Sequence, residues 1–424
     1  MKPSPMPYET MTHDRERLAH EVMARCQTLA RFSEDSGSIR RTFLSPPMRD
    51  CHREIISWVS PLGVTSTLDA VGNLRMLYPA ANPDAPRLLM GSHLDTVPNA
   101  GAYDGILGVV LAVALLSALD GRRLPFAIEV VGFSEEEGVR FGTPFIGSRA
   151  LVGNLDGETL CRRDAGGISI SEAIADFGLN PAEIGRAAIR DDVLAYLEFH
   201  IEQGPALEKA CQPLAAVEAI AGQSRLQFTF TGHANHAGTT PMNLRHDAVA
   251  AAAEWISAVE RRAQETVGLV ATVGAILVQP GAVNVIAATT RASLDVRHPS
   301  DQIRKAAVDS MVRHAEEIAQ RRGLTVLWSA LLDQAAVPMD PFLIGQIERA
   351  MGKARCAPFR MVSGAGHDAM ILAGKVPAAM IFLRTPGGIS HDPAESVALA
   401  DVAKAIDCGL YLLEQLASSS EFHG

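Results

Sequence analysis

Apolar and polar positions recur along the chain with two different spacings, and the spacing predicts the secondary structure of each segment. An apolar residue at every third or fourth position is typical of a helix, whereas alternation or a short apolar run indicates a strand. The helical pattern covers residues 13–32, 46–62, 108–119, 247–264 and 300–323, and a last helix follows from about 400. The strand pattern covers residues 66–78, 86–93, 126–138, 188–205, 216–232 and two or three pieces of 270–299.

The order of these elements predicts the fold class and the domains. A strand, a helix and a strand between residues 86 and 138 form a βαβ unit with a buried parallel pair. Beyond residue 213 the strands alternate as antiparallel strands do, and long helices accompany them. We therefore predict an α/β domain made of residues 1–212 and 329–424, interrupted by an inserted α+β domain at 213–328.

Composition and charge exclude several classes of protein. Hydrophobic residues make up 47% of the chain and charged residues 20%, so a large core can form. The net charge of -10 argues against nucleic acid as a partner. The longest apolar run, residues 108–119, is shorter than the roughly 20 residues of a membrane span and predicts a buried helix. Six scattered cysteines and an N-terminal segment without an apolar core lead us to expect a cytoplasmic protein with reduced thiols.

Candidate chemistry first appears in the segment GSHLDTVPNAGAYDG, which follows a predicted strand. It carries His93, Asp95 and Asp104, and glycines at 101 and 105 allow the backbone to turn sharply around the last of these. Residues two apart at a strand end share a face, so Asp95 suits the carboxylate that orients a metal-binding histidine. Taken alone, His93 and Asp95 are more typical of a hydrogen-bonded pair in a loop than of a metal site.

Three consecutive acids, Glu135, Glu136 and Glu137, follow the next predicted strand. Adjacent carboxylates repel one another and raise one another's pKa unless cations offset their charge. A solvated acidic turn is the alternative interpretation. His200 and His391 also lie where predicted strands end, although a histidine satisfied within the core remains the alternative for His200.

These side chains are expected to meet, because ligands in parallel sheets gather beyond the carboxyl ends of the strands. Imidazole and carboxylate groups suit zinc, manganese or cobalt. Five candidate ligands are too many for a simple three-ligand site, and they fit two ions roughly 3.5–4 Å apart that share one carboxylate. Such a pair lowers the pKa of a water molecule, and one further carboxylate can take its proton.

The order of H-x-D, D-G, E-E, H and a late S-H resembles the dinuclear-metal aminoacylase and carboxypeptidase superfamily. The segments SEEEGVRF, FHIEQGP, NHAGTTPM, SGAGHDA and GGISHDPAE resemble its hydantoinase/carbamoylase branch, from about residue 35 to 416. That branch contains N-carbamoyl-L-amino-acid hydrolases, allantoate amidohydrolases and β-ureidopropionases. The resemblance implies a phosphorylase/hydrolase-like α/β catalytic domain whose inserted α+β domain serves as lid and dimerisation domain.

The resemblance also implies two divalent metal ions per subunit, manganese or zinc, with cobalt or nickel as alternatives. His93 and His200 would each hold a different ion, and Asp104 would bridge the two. Glu137 and His391 would complete the pair, one on each ion.

Two catalytic roles are implied in the same way. Glu136 would be the general base that takes the proton of the attacking water and later protonates the leaving nitrogen. His236, in GHANHAGTTPM, would stabilise the oxyanion, which requires a donor aimed at developing negative charge. Glu135 and His233 do not match a functional position of the branch.

The substrate residues implied by the resemblance are Gln203, Asn284, Arg297, Gly366 and His367. Asn284 and Arg297 match the grip on the substrate carboxylate, since a guanidinium binds a carboxylate through two parallel hydrogen bonds. The other three match substrate-side positions.

The predicted reaction is hydrolysis of the ureido (N-carbamoyl) group of a small carboxylic acid, with release of ammonia and carbon dioxide. Arg384 and the AG-x-YDG form of the first loop resemble allantoate-type members and favour allantoate. N-carbamoyl-L-amino acids and β-ureidopropionate are the alternatives. A hydrolase of N-acyl amino acids or dipeptides, and an inactive binding protein with this fold, are the rival interpretations. A homodimer through the inserted domain and a closing lid are also expected.

Overall fold

The computed structural model describes residues 8–422, and the chain divides into two compact units. The first unit holds the described residues up to 218, then 339–361 and those from 366 onward, and the second holds 219–338 with 362–365. The predicted boundaries at 212/213 and 328/329 lie earlier than these. The second of them would cut a strand at Thr325–Gln334 that pairs within the second unit.

Helices and strands are distributed throughout residues 8–422. The helices are α1 (Tyr8–Ala30), α2 (Pro46–Val59), α3 (Ile106–Ala118), α4 (Ile146–Leu151), α5 (Gly157–Leu160), α6 (Ile170–Asp176), α7 (Ala206–Lys209), α8 (Ala248–Glu265), α9 (Asp301–Arg321), α10 (Pro341–Lys353), α11 (Asp368–Leu372) and α12 (Leu399–Ala417). The strands are β1 (Thr65–Leu68), β2 (Leu74–Tyr78), β3 (Arg87–His93), β4 (Ala127–Phe133), β5 (Val193–Ile201), β6 (Leu214–Ile220), β7 (Gly222–Thr231), β8 (Val270–Thr272), β9 (Ile276–Gln279), β10 (Thr289–His298), β11 (Thr325–Gln334), β12 (Val337–Pro338), β13 (Arg360–Ser363) and β14 (Ala378–Leu383).

The sheet of the first unit confirms the predicted α/β class. Its central strands run in the order β4-β3-β5-β14 and are parallel, while β2 joins β4 and β6 joins β14 in antiparallel fashion. The predicted βαβ unit is β3-α3-β4. Every residue of β4 and of β14 is buried, as is expected of parallel strands covered on both faces.

Helix α3 explains how an almost entirely apolar segment can fold inside a globular unit. Residues 106–116 are all buried, and the helix packs against β3 and β5 on one side and against α1 and α12 on the other. Gly108 allows the close approach to the sheet, because a Cβ there would overlap the carbonyl oxygen of Phe199. No helix within residues 8–422 is long and apolar enough to cross a membrane.

Two predicted strands are each a pair of strands in the structure. The segment 66–78 is divided by a turn in which the Asp69 carboxylate accepts the backbone N–H groups of Val71 and Asn73, and Gly72 has a φ of 79°. The segment 216–232 is divided at Ala221 into β6 and β7, which belong to different sheets. The burial pattern changes at each break: β1 is mostly exposed and β2 alternates, whereas β6 is almost wholly buried and β7 alternates.

The second unit has the predicted α+β architecture. Its antiparallel sheet has the order β11-β7-β10-β8, with β9 also paired to β10. Alternate residues of β7 and β10 are buried under α8 and α9. Trp255 of α8 lies at the centre of this core, against Phe228 and Phe230, and its indole N–H donates to the carbonyl of Met311 at 2.9 Å.

Candidate active site

The parallel strands of the first unit carry the candidate ligands to one edge of the sheet. His93 is the last residue of β3, and His200 is the last but one of β5. Glu137 lies just beyond β4, His391 lies beyond β14, and Asp104 lies in the loop between β3 and α3. The structure therefore brings these five side chains together, as the strand order predicts.

Two groups of ligand atoms share the Asp104 carboxylate. On one side, Nε2 of His93 and Nε2 of His200 lie 3.8 and 3.3 Å from Oδ1 of Asp104, and 3.4 Å from each other. On the other side, Nε2 of His391 lies 3.1 Å from Oδ2 of Asp104 and 3.5 Å from Oε1 of Glu137. A carboxylate with one oxygen in each group is the arrangement that a bridging ligand requires.

The structure groups the histidine side chains differently from the expected division between two ions. His93 and His200 belong to the same group, whereas Glu137 and His391 form the other. The reason is the sheet: β3 and β5 are neighbouring parallel strands, so their ends bring the two imidazole rings to a centroid distance of 5.6 Å.

The orientations of the two rings favour a cation between them. Nδ1 of His93 lies 3.0 Å from the carbonyl oxygen of Asp95, and Nδ1 of His200 lies 2.9 Å from that of Ile201. In a neutral ring, a proton donated from Nδ1 leaves a lone pair on Nε2. Both lone pairs face Oδ1 of Asp104, a buried oxygen without a hydrogen-bond partner among residues 8–422. Three buried electron-rich atoms in contact fit a divalent cation, and nitrogen with carboxylate oxygen suits zinc or manganese.

The acids after β4 lie in the same buried region. Glu136 and Glu137 each have a carboxylate oxygen within 4.8 Å of a ring nitrogen of His93. Burial raises the pKa of Glu137 to about 7, and it raises the pKa of Glu136 well above its usual value. A carboxyl group with a raised pKa can both accept and return a proton near neutral pH, which a general base in hydrolysis must do.

Asp95 orients these acids more directly than it orients His93. Its two carboxylate oxygens accept the backbone N–H groups of Glu136 and Glu137, each at 3.0 Å. The carboxylate lies 3.5 Å from Nδ1 of His93, farther than the backbone carbonyl of Asp95 itself. The expected pairing of ring and carboxylate is therefore weaker than the contact with the backbone.

Three of the predicted substrate residues lie in the first unit. The amide of Gln203, a residue with a φ of 60°, donates to Oδ2 of Asp104 at 3.0 Å. The His367 ring is buried against the His200 ring at a centroid distance of 4.4 Å. Gly366 precedes it, and a Cβ there would lie 2.9 Å from Cζ of Phe145, so a larger residue would displace that ring.

His236 and Asn284 lie side by side in the second unit, where the amide of Ala237 donates to the carbonyl of Asn284 at 2.9 Å. Nδ1 of His236 accepts the backbone N–H groups of Gly238 and Thr239 at 3.0 and 3.2 Å. An accepting Nδ1 places the proton of the neutral ring on Nε2. The exposed His236 therefore presents an N–H donor.

Arg297 of β10 is already engaged by protein groups. Its Nε and Nη2 donate to the Asp295 carboxylate at 2.9 and 3.1 Å, and its Nη1 donates to the carbonyl of Gly364 at 2.5 Å. The sequence resemblance predicts that Arg297 binds the substrate carboxylate, and it does not predict this ion pair with Asp295. A guanidinium has five N–H groups, so the outer edge formed by Nη1 and Nη2 can still bind a second carboxylate.

The fold and the paired ligand groups are those of a candidate metal-dependent hydrolase, and comparison with known proteins defines the family. Residues 89–415 match the model of Peptidase family M20/M25/M40, and the chain belongs to this family.

Relatives cover nearly the whole chain. It is 39% identical over 387 residues to the N-carbamoyl-L-amino acid amidohydrolase of Geobacillus stearothermophilus, covering 91% of this chain and 95% of the relative. It is 36% identical over 434 residues to allantoate deiminase 2 of Glycine max, covering 94% and 90%. A crystal structure of a hydantoinase/carbamoylase family amidase from Burkholderia multivorans has a TM-score of 0.90 at 29% identity, covering 95% of this chain and 98% of that one. The resemblance to this branch is confirmed.

Proposed function

We propose that this chain is a metal-dependent amidohydrolase that cleaves the ureido group of a small carboxylic acid, releasing ammonia and carbon dioxide. The observation that carries the proposal is the Asp104 carboxylate, which has one oxygen in each of two groups of ligand atoms. The names of the relatives support the reaction class, since they are amidohydrolases and deiminases of ureido acids.

Two divalent ions fit the residues present, manganese or zinc being the first choices. His93, His200 and Asp104 would hold one ion, and Asp104, Glu137 and His391 would hold the other. When bound, the ions would polarise the carbonyl oxygen and lower the pKa of the attacking water.

Glu136 moves the proton in this account. Its backbone is held by Asp95, and its carboxyl group lies beside His93 and Glu137. It takes the proton of the water that attacks the ureido carbonyl and delivers it to the leaving nitrogen, which departs as ammonia.

The second unit supplies donors to the substrate. The Nε2–H of His236 would stabilise the oxyanion that forms during the attack. The outer N–H groups of Arg297, with the side chain of Asn284, would bind the substrate carboxylate. Gln203, Gly366 and His367 would contact the substrate from the first unit. The lid role of the inserted domain stays a prediction.

Allantoate is the first candidate substrate, and N-carbamoyl-L-amino acids are the second because of the 39% identical relative. One reason for preferring allantoate is weakened by the structure. The Arg384 guanidinium binds both oxygens of the Asp401 carboxylate in α12, at 2.8 and 2.9 Å. This ion pair explains the arginine without a substrate.

A homodimer through the inserted domain is the proposed assembly. Strand β11 stands at the edge of the second sheet and exposes Leu327, Trp328 and Leu331. An edge strand with exposed apolar side chains is suited to pairing with a second copy. Sedimentation of the protein as a monomer at micromolar concentration would contradict this assembly.

A cytoplasmic location is also proposed, because all six cysteines are free. Recovery of the protein in a secreted fraction would contradict it.

Ammonia release tests the proposed reaction. Purified protein supplemented with manganese is assayed with allantoate, N-carbamoyl-L-amino acids, β-ureidopropionate and N-acetyl-L-amino acids, each with and without a chelator. We expect chelator-sensitive ammonia release from at least one ureido acid and no cleavage of the N-acetyl compounds. Cleavage of the N-acetyl compounds alone would establish the rival hydrolase, and no turnover by metal-loaded protein would favour the inactive binding protein.

A further inference from the structure

Glu395 is a buried acid that the predicted site did not include. It lies in the loop beyond β14, four positions after His391, and only 5% of its surface is exposed. Its Oε1 accepts two consecutive backbone N–H groups, from Tyr103 at 2.9 Å and from Asp104 at 3.0 Å. The carboxylate of Glu395 therefore holds the main chain of the residue whose own carboxylate is shared by both ligand groups.

The second oxygen of Glu395 is turned toward the other ligand loop. The Ser390 hydroxyl donates to Oε2 of Glu395 at 3.3 Å, and Ser390 immediately precedes His391. His391 has a φ of 57°, a conformation that few side chains adopt and that its surroundings must therefore maintain. Glu395 thus joins the loop of the shared aspartate to the loop of the late histidine, which are far apart in the sequence.

The packing around Glu395 requires a glycine opposite it. A Cβ at Gly101 would overlap the side chain of Glu395, including Oε1. Any side chain at 101 would displace the carboxylate from the two N–H groups. Two features of the sequence, the glycine of the AG-x-YDG loop and the acid of HDPAE, therefore have one structural explanation.

The position of this acid is electrostatically unfavourable on its own. Burial, together with the neighbouring Asp104 carboxylate, raises the pKa of Glu395 to about 7. A buried acid beside another acid persists where its hydrogen bonds outweigh the repulsion. Here three donors converge on Glu395, and two of them belong to the backbone of the ligand loop.

We propose that Glu395 is a positioning residue that sets the distance between Asp104 and His391 and thereby the affinity for the divalent ion they share with Glu137. The inference rests on the proposed function, because it assumes that these residues bind metal. Groups that orient metal ligands typically change metal affinity by about 10–100-fold when removed.

The test measures the manganese affinity of full-length variants by competition with a chelating dye, together with their thermal stability without metal. Glu395→Ala removes the acceptor, and we expect its manganese affinity to fall by roughly 10–100-fold. Glu395→Gln keeps an oxygen for the two N–H groups and an amide that can bond to Ser390, so its affinity should stay within about threefold of wild type. Gly101→Ala keeps the acid but displaces it, and should weaken binding even if Glu395→Ala does not fold.

Asp247→Ala is the matched control. The Asp247 carboxylate also accepts two backbone N–H groups, those of Val249 and Ala250 at the start of α8, and it belongs to the second unit, which holds none of the candidate metal ligands. This variant should lose thermal stability and keep its manganese affinity.

Unchanged affinity in both Glu395→Ala and Gly101→Ala would overturn the proposal. So would an equal loss in Asp247→Ala, which would indicate general destabilisation, or a loss in Glu395→Gln as large as in Glu395→Ala. Absence of manganese binding by the wild-type protein would instead contradict the proposed function, so the two failures are distinguishable.

Discussion

The candidate residues of the two units differ in how their polar atoms are satisfied. In the first unit His93, His200 and Asp104 are buried, and their lone pairs face one another. In the second unit His236 is exposed and Arg297 is partly exposed, and both already have protein partners. The lone pairs of the first three side chains need a positive charge to satisfy them. The side chains of His236 and Arg297 are instead oriented by hydrogen bonds to the protein itself.

This difference bears on the role that is proposed for each set of residues. Folding of the first unit places several carboxyl groups and the imidazoles of His93 and His200 where bulk water cannot solvate them, so cation binding and stability are linked there. Folding of the second unit fixes a tautomer at His236 and the direction of the Arg297 fork, and it leaves donors available to a ligand. Variants in the two units should therefore fail in different ways.

The largest expected effect is a loss of turnover in the Glu136→Gln variant. Glutamine cannot accept the proton of the attacking water, so kcat should fall by roughly 10²–10⁴-fold while the metal content stays unchanged. Steady-state kinetics with metal analysis of the same sample measure both quantities. Glu135→Gln, the neighbouring buried acid without an assigned role, is the control. A kcat near the wild-type value in Glu136→Gln would remove Glu136 as the base.

The second-largest expected effect is weaker substrate binding by the Arg297→Ala variant. Loss of a charged hydrogen-bonding partner should raise KM for the ureido acid by about 10–100-fold, with metal content and metal-free stability close to wild type. Arg291→Ala, on the same strand and the same face of the sheet, is the matched control and should leave KM unchanged. An unchanged KM in Arg297→Ala would contradict the carboxylate grip.

The smallest expected effect is on the stability of the Glu137→Gln variant. This variant should be more stable than wild type without metal and less stable with it. In metal-free protein the pKa of Glu137 is raised from 4.5 to about 7, so the folded state binds its proton more tightly than the unfolded state. Its contribution to the free energy of unfolding therefore falls as pH rises from about 4.5 to 7. Glu137→Gln should be more stable than wild type at pH 8 in the presence of chelator, by on the order of 1–3 kcal/mol, and similar to it at pH 4.5.

Urea unfolding of both proteins at both pH values, repeated with manganese, measures the stability difference between Glu137→Gln and wild type. With manganese the order should reverse, because the variant lacks a ligand. A variant less stable than wild type under every condition would show that Glu137 is stabilising without a cation.

Much of the site could be predicted from the sequence because strand ends are easy to recognise. His93, Glu137 and His200 each follow an apolar run, and parallel order then requires them to meet. The division of the ligands could not be predicted, since it depends on β3 and β5 being neighbours, a property of strand order in space.

Contacts between segments that are far apart in the sequence could not be predicted either. The bond of Arg297 to the carbonyl of Gly364 and the bonds of Glu395 to the backbone of 103 and 104 join residues far apart in the sequence and give no local pattern. An acid four residues after a candidate histidine was the available signal for Glu395. The break at Ala221 was missed although the pattern changes there, since β6 is buried at every position but Glu218 whereas β7 alternates.

The central claim is that Asp104 is shared by two metal ions, and manganese counting after desalting tests it most directly. Wild-type protein should retain about two ions per chain, and Asp104→Asn should retain fewer than about one because both groups lose a charged ligand. His391→Ala should retain about one, since the group of His93 and His200 is intact. A single ion in the wild-type protein, or about two in Asp104→Asn, would contradict the account.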